Sequence, residues 1–178
     1  MKSFFFLTPI LLLNLIILSP RTPALSLEKS VGLIEKTCKK TPYHDLCVSS
    51  LRSSPGSSNA TVHDLAGTIL NLTLANTTNM LSYIEALIDQ TEDPQLERPL
   101  DYCAELYIPV VEYTLPQAIV AFDKARYRFA GYGVSDAGDQ ADKCEKEFSK
   151  SMASPLGDRN KLVSELCDVA VAIIKMLQ

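Results

Sequence analysis

The stretch CAELYIPVVEYTLPQAIVAFDKARYRFAGYGVSDAGDQADKC, residues 103–144, decides the fold. Read onward from Leu100, apolar or small residues recur at Cys103, Leu106, Tyr107, Val110, Thr114, Ala118 and Ala121. At about 100° per residue these share one face of a helix. Val134, Ala137, Ala141, Cys144 and Phe148 form the same kind of stripe on the return. The midpoint falls near Asp123 and Lys124. A reversal there gives two arms of about 20 residues, roughly 30 Å each, and sets Cys103 beside Cys144. Both cysteines lie on inward faces, so a disulfide between them clamps the open end of a helical hairpin. Ala125-Arg126-Tyr127-Arg128-Phe129 is left prominent at the closed end. Pro109 and Pro116 each remove an intrahelical hydrogen bond from the first arm, which predicts a bend there rather than a break.

The flanking segments are helical too. Thr61 to Gln90 reads as one long helix, with Thr61 as N-cap and Asp64 in its first turn. Its stripe is Val62, Leu65, Ala66, Ile69, Met80, Tyr83, Ile84 and Leu87. Asp93-Pro94 ends it. The last helix runs from Asn160 to Leu177 behind Ser154-Pro155-Leu156-Gly157-Asp158, with Leu162, Leu166, Val169, Ala170, Ile173 and Leu177 as its stripe. Ahead of these, Ser26 to Lys36 and a segment after Thr41-Pro42 form two short helices, closed by the loop Ser53-Ser54-Pro55-Gly56-Ser57-Ser58. Four long helices on short links predict an all-α, up-down-up-down four-helix bundle with an N-terminal helical hairpin. Nothing alternates like a strand over a useful length.

Met1-Lys2, an apolar run from Phe4 to Leu18 and a small-residue exit after Pro20 and Arg21 describe a secretory signal peptide. The run is short for a bilayer span. The expected organisation is a signal peptide over residues 1–24 and a single domain over 25–178, with the hairpin at 25–58 and the bundle at 59–178. Without the leader, 15 bases face 21 acids, a net charge of −6. That balance argues against nucleic acid and anionic membrane as partners. Five cysteines in a secreted chain leave four to pair and one over. Cys38 pairs with Cys47 across the Thr41-Pro42 turn, and Cys103 with Cys144, worth about 2.7 and about 4 kcal/mol by loop entropy. Cys167 remains a free thiol at the margin of the last helix's stripe. Of the three sequons, Asn59 in the loop and Asn71 opposite the core stripe are glycosylation candidates, whereas Asn76 projects towards the core.

Catalytic apparatus is missing from the sequence. There is no nucleophile elbow, zinc-protease motif or phosphate loop, and His44 and His63 belong to no triad. No metal is expected, because there is no Cys-x-x-Cys and the two histidines lack ligand spacing. No cofactor is expected either. The acids at Asp89, Glu92 and Asp93, and at Asp136, Asp139 and Asp142, read as caps and solvated charge. What remains is a binding surface. Tyr127-Arg128-Phe129 has the composition of a hot spot. Either this tip presents its aromatics to a partner, or Tyr127 and Phe129 pack on the bundle end and only Arg126 and Arg128 show.

The residues Lys36-Thr37-Cys38-Lys39-Lys40-Thr41-Pro42, Leu46-Cys47-Val48-Ser49-Ser50-Leu51 and Asp93-Pro94-Gln95-Leu96 resemble the plant invertase and pectin methylesterase inhibitor family. So do Cys103 with Tyr107, Leu115-Pro116-Gln117-Ala118-Ile119, Cys144-Glu145 with Phe148, Ser154-Pro155-Leu156, and Leu166-Cys167-Asp168-Val169 with Ile173. The resemblance covers the whole chain beyond the leader. It implies a four-helix bundle behind a helical hairpin, the same two bridges, and a non-catalytic inhibitor of a cell-wall carbohydrate enzyme.

The family divides by target. Invertase inhibitors of one branch carry Pro-Lys-Phe ahead of the fourth cysteine, and it enters the invertase active site. By distance to Cys144 that tripeptide matches Tyr127-Arg128-Phe129, and Leu115-Pro116-Gln117-Ala118-Ile119 resembles the same branch. A tyrosine at position 127, the Asp93-Pro94-x-Leu96 turn and Leu166-Cys167-Asp168 look more like pectin methylesterase inhibitors. The motif balance places pectin methylesterase first as target. Acid invertase, engaged through the tip, is the alternative, and a secreted interaction protein without an enzyme target is the alternative of another class. The expected location is the apoplast or cell wall, or the vacuole if the target is a vacuolar invertase. The family's fold also occurs fused to pectin methylesterases; with no enzyme after Gln178, a free-standing inhibitor is expected.

Overall fold

The computed structural model describes residues 23–54, 60–148 and 153–178, with side chains from Val31 onward. The expected signal peptide, apart from its last two residues, and the sequon at Asn59 lie outside the described residues. The elements are α1 (Pro23–Cys38), α2 (His44–Ser53), α3 (Val62–Gln90), α4 (Pro94–Pro109), a π-helical turn (Val110–Thr114), α5 (Leu115–Asp123), α6 (Tyr127–Phe148) and α7 (Gly157–Lys175). The α4–π–α5 segment acts as one continuous rod. With α3, α6 and α7 it makes a square in which each rod packs on two neighbours, and the α1/α2 hairpin lies against α3 and α7.

Local chemistry sets the helix ends. Thr61 and Asp64 form a reciprocal capping box: the Thr61 hydroxyl accepts from the Asp64 amide (3.2 Å), and Asp64 Oδ2 accepts from the Thr61 amide (2.8 Å). Asp93 caps α4 by accepting from the Gln95 amide (2.9 Å), with Pro94 at the first helical position. Both disulfides join the expected partners, Cys38 to Cys47 and Cys103 to Cys144, with Cα separations of 5.5 and 4.9 Å.

Next to the Cys103–Cys144 bridge lies a buried polar network. The Tyr107 hydroxyl donates to Asn160 Oδ1 (2.7 Å), and Asn160 Nδ2 donates to Glu145 Oε2 (2.8 Å) and approaches Cys144 Sγ (3.3 Å). Ser154 Oγ donates to the same Glu145 oxygen (2.9 Å) and accepts from the Leu156 amide (3.1 Å). The open end of the hairpin is thus tied covalently across α4 and α6 and by hydrogen bonds to α7.

Three expectations about the core need correction. The stripe of the first arm was placed on Thr114, Ala118 and Ala121, but the buried residues beyond Val110 are Leu115, Ala118 and Phe122. The cause is the π turn, in which the Leu115 amide bonds back to the Val110 carbonyl. One extra residue in the turn moves the inward face on by one position. The turn sits directly before Pro116, whose ring would clash with the carbonyl four residues back in a regular helix. At the prolines the helix therefore continues with its register shifted.

Leu162 on α7 and Leu177 just beyond it are only partly buried, while Val163, Cys167 and Ile174 are fully buried. Packing against both α6 and α3 widens the inward face beyond a single stripe. Cys167 is accordingly buried and unbonded, not marginal. It meets α6 at Gly138, where a Cβ would lie 3.1 Å from the Cys167 Cβ, so a larger residue there would force the two helices apart by a few tenths of an ångström. Finally, α1 begins at Pro23 and α7 at Gly157, each three residues before the expected start.

Candidate functional site

At the closed end of the hairpin, the chain leaves α5 through a Schellman reversal. The Ala125 amide bonds to the Phe122 carbonyl (2.9 Å) and the Arg126 amide to the Ala121 carbonyl (2.8 Å). Ala125 occupies the left-handed position, φ 53°, where glycine is usual. The expected turn at Asp123 and Lys124 thus falls within a residue or two of the observed one.

Tyr127 opens α6, so Tyr127, Arg128 and Phe129 share its first turn. They do not share an environment. Tyr127 is half-buried, its ring 5.6 Å from that of Phe122 and 6.2 Å, edge-on, from that of His63. His63, in the first turn of α3, stacks on Phe122 at 4.4 Å with an interplanar angle of 26°. Arg128 is exposed, and Phe129 is 69% exposed. The two readings of the tip therefore divide at the residue level: one aromatic packs on the bundle and the other is presented with the arginine.

The neighbourhood extends the surface. Tyr132, one turn beyond Phe129 on α6, is 66% exposed. A shallow groove of 420 Å³ beside the turn is lined by Tyr113, Pro116, Val120, Lys124 and Arg126, among others. Tyr113 is turned out by the π-helical segment. Sequence reasoning missed His63, Tyr113 and Tyr132. An aromatic three residues after Phe129 on a helix was a signal for Tyr132. Nothing local signalled His63, because its partners come from α5 and α6. Close α5/α6 packing steadies this end: a Cβ on Gly133 would lie 3.0 Å from the Ala118 Cβ.

The remaining candidates are scattered. Asn71 is exposed on α3, its amide donating to the Gly67 carbonyl (2.9 Å). Asn76 is half-buried and donates to the Leu72 carbonyl (2.8 Å). Among the described residues no group of histidine, cysteine and acidic side chains is arranged to hold a metal, and no helix is long and apolar enough to cross a membrane. His44 lies on the N-terminal hairpin against Asp45 (2.9 Å) and Glu35 (3.3 Å), and Glu35 also pairs with Arg52 (2.6 Å). Its pKa is raised, first by the hydrogen bond to Asp45 and then by Glu35.

Residues 32–173 match the family described as plant invertase/pectin methylesterase inhibitor. The chain belongs to that family. Members are inhibitors rather than catalysts, in keeping with a site that offers a surface and no reactive constellation. Within the plant invertase/pectin methylesterase inhibitor family, the chain is similar to "Cell wall / vacuolar inhibitor of fructosidase 1" of Arabidopsis thaliana. The two are 36% identical over 142 residues, covering 80% of this chain and 67% of that one. It is 30% identical over 172 residues to "Cell wall / vacuolar inhibitor of fructosidase 2" of the same plant, covering 94% and 95%. A crystal structure of a mutant pectin methylesterase inhibitor from Arabidopsis superposes with a TM-score of 0.72 at 25% identity, over 82% of this chain and 97% of that one.

Proposed function

We propose that this family member is a stoichiometric inhibitor of an acid invertase, and that it acts by placing Arg128 and Phe129 in the enzyme's active-site cleft. The observation that carries the reading is the tip itself: an exposed arginine and an exposed phenylalanine side by side on a helix start whose first residue is anchored to the bundle. Glycoside hydrolysis uses a pair of carboxylates, so a cationic tip suits the cleft. A guanidinium also pairs with a carboxylate through two parallel hydrogen bonds. The relatives at 36% and 30% identity are named for fructosidase inhibition, which favours invertase over the pectin methylesterase that the motif balance placed first.

A signal peptide over residues 1–24 would deliver the protein to the secretory route, and the relatives' names favour the cell wall or vacuole as its destination. Asn71 and Asn59 would carry glycan on the way.

The test is the double change Arg128→Ala with Phe129→Ala, with folding checked by circular dichroism. Inhibition of acid invertase should weaken by about 100-fold or more. Undiminished inhibition by the variant would remove the tip from the mechanism. A second reading, inhibition of pectin methylesterase through the flank of the bundle, is favoured by the pectin methylesterase inhibitor whose structure superposes on this one. In that case the double change should alter affinity by less than about fivefold.

A further inference from the structure

We infer that His63 is a positioning residue for the tip: through Phe122 and Tyr127 it fixes the direction in which Arg128 and Phe129 project. This rests on the reading of that tip as the invertase contact. The argument follows a chain of contacts across three helices. The capping box holds the first turn of α3, with Asp64 accepting from both the amide and the hydroxyl of Thr61 (2.8 Å each). His63 sits within that turn and lies flat on Phe122, at 4.4 Å and 26°. Phe122 is fully buried at the end of α5 and packs over α3, where a Cβ on Gly67 would touch its ring at 3.5 Å. Tyr127 meets both rings, tilted against Phe122 at 5.6 Å and edge-on to His63 at 6.2 Å. Offset and edge-on geometries of this kind are the attractive ones for aromatic pairs.

Tyr127 is also the residue from which α6 starts. Locking its ring sets the rotation of the first helical turn, and with it the heading of the next two side chains. The turn that precedes it is intrinsically less settled, since Ala125 holds a left-handed conformation that a β-carbon disfavours. The stack therefore supplies pre-organisation that the turn does not, and a pre-organised contact loses less freedom on binding. A bland role for His63, as filler at the bundle end, would stabilise the fold without ordering the tip in particular.

The experiment compares His63→Ala and His63→Phe with wild type, using the mature protein with its disulfides intact. The first readout is native-state trypsin cleavage after Lys124, Arg126 and Arg128, measured against cleavage after the exposed Lys161 on α7 as an internal control. The second is inhibition of acid invertase. His63→Ala should speed tip cleavage about tenfold relative to Lys161 and weaken inhibition about tenfold. His63→Phe keeps a stacking ring and should match wild type in both. Tip cleavage unchanged in His63→Ala, or accelerated equally at Lys161, would overturn the proposal. If wild-type protein fails to inhibit invertase at all, the target reading falls, and the cleavage ratio by itself decides for or against the stack.

Discussion

Asn160 offers the sharpest test of how the hairpin is held. It is a fully buried polar residue on α7, and its side chain joins Tyr107 of α4 to Glu145 of α6. Replacing it with alanine leaves the Tyr107 hydroxyl buried without an acceptor, at about 1–3 kcal/mol, and removes a hydrogen bond to a carboxyl group, at about 1.5–3 kcal/mol. The second figure is discounted towards its lower end, because Glu145 is half-buried and keeps the Ser154 hydroxyl. Asn160→Ala should then destabilise by about 3–4 kcal/mol and lower Tm by about 8–14 °C in a chain of this size. Tyr107→Phe leaves the buried Asn160 Oδ1 without its donor and should cost about 1–3 kcal/mol. In the double variant the losses should fall short of their sum by about 1–2 kcal/mol. Urea unfolding with intact disulfides measures all three, and m-values should not change. A loss below about 1 kcal/mol for Asn160→Ala, or additive losses in the cycle, would refute the claim that this network ties α7 to the hairpin.

Ala125→Gly should stabilise by about 0.5–1 kcal/mol, raising Tm by about 2–3 °C, because it relieves the left-handed alanine at the tip; an unchanged or lower Tm would contradict that. Burial, followed by the charges of Asp168 and Asp142, pushes the Cys167 thiol up to about 12. Ellman's reagent should therefore find no reactive thiol in the native protein and one per chain after denaturation. The hydrogen bond to Asp45, and then Glu35, raises the folded pKa of His44 above its unfolded value. Its contribution is complete below about pH 6.5 and fades as pH rises through the folded value. The stability difference between wild type and His44→Gln should be present at about pH 5 and be lost as pH rises through the raised folded value; a difference independent of pH would remove the ion cluster as its source.

The helices and their pairing were legible in the sequence because each level of pattern agreed: inward stripes, capping residues, proline punctuation and cysteine spacing. Thr61 and Asp64 announced the start of α3, and the midpoint between Cys103 and Cys144 located the reversal. The misreadings came from interactions that act across the fold. A single extra residue in the π turn moved the buried face from Ala121 to Phe122, and no periodicity count over the flanking residues registers such an insertion. Cys167 falls at the margin of the single stripe the periodicity gives, yet it is buried because α7 packs on two neighbours. The tip was found by its composition. Which of its aromatics packs and which is presented depended on His63, a residue far upstream that reaches it only once α3 is folded against α5. Target choice was the least legible feature, since motifs of both branches occur in one chain.

The most direct test of the central claim is a titration of the purified mature protein against an acid invertase and, in parallel, a pectin methylesterase, with each enzyme well above the expected Kd. The account predicts a linear loss of invertase activity that reaches its end point at one inhibitor per enzyme, with pectin methylesterase left active. Full invertase activity at several-fold excess of inhibitor, or a one-to-one end point with pectin methylesterase instead, would contradict it.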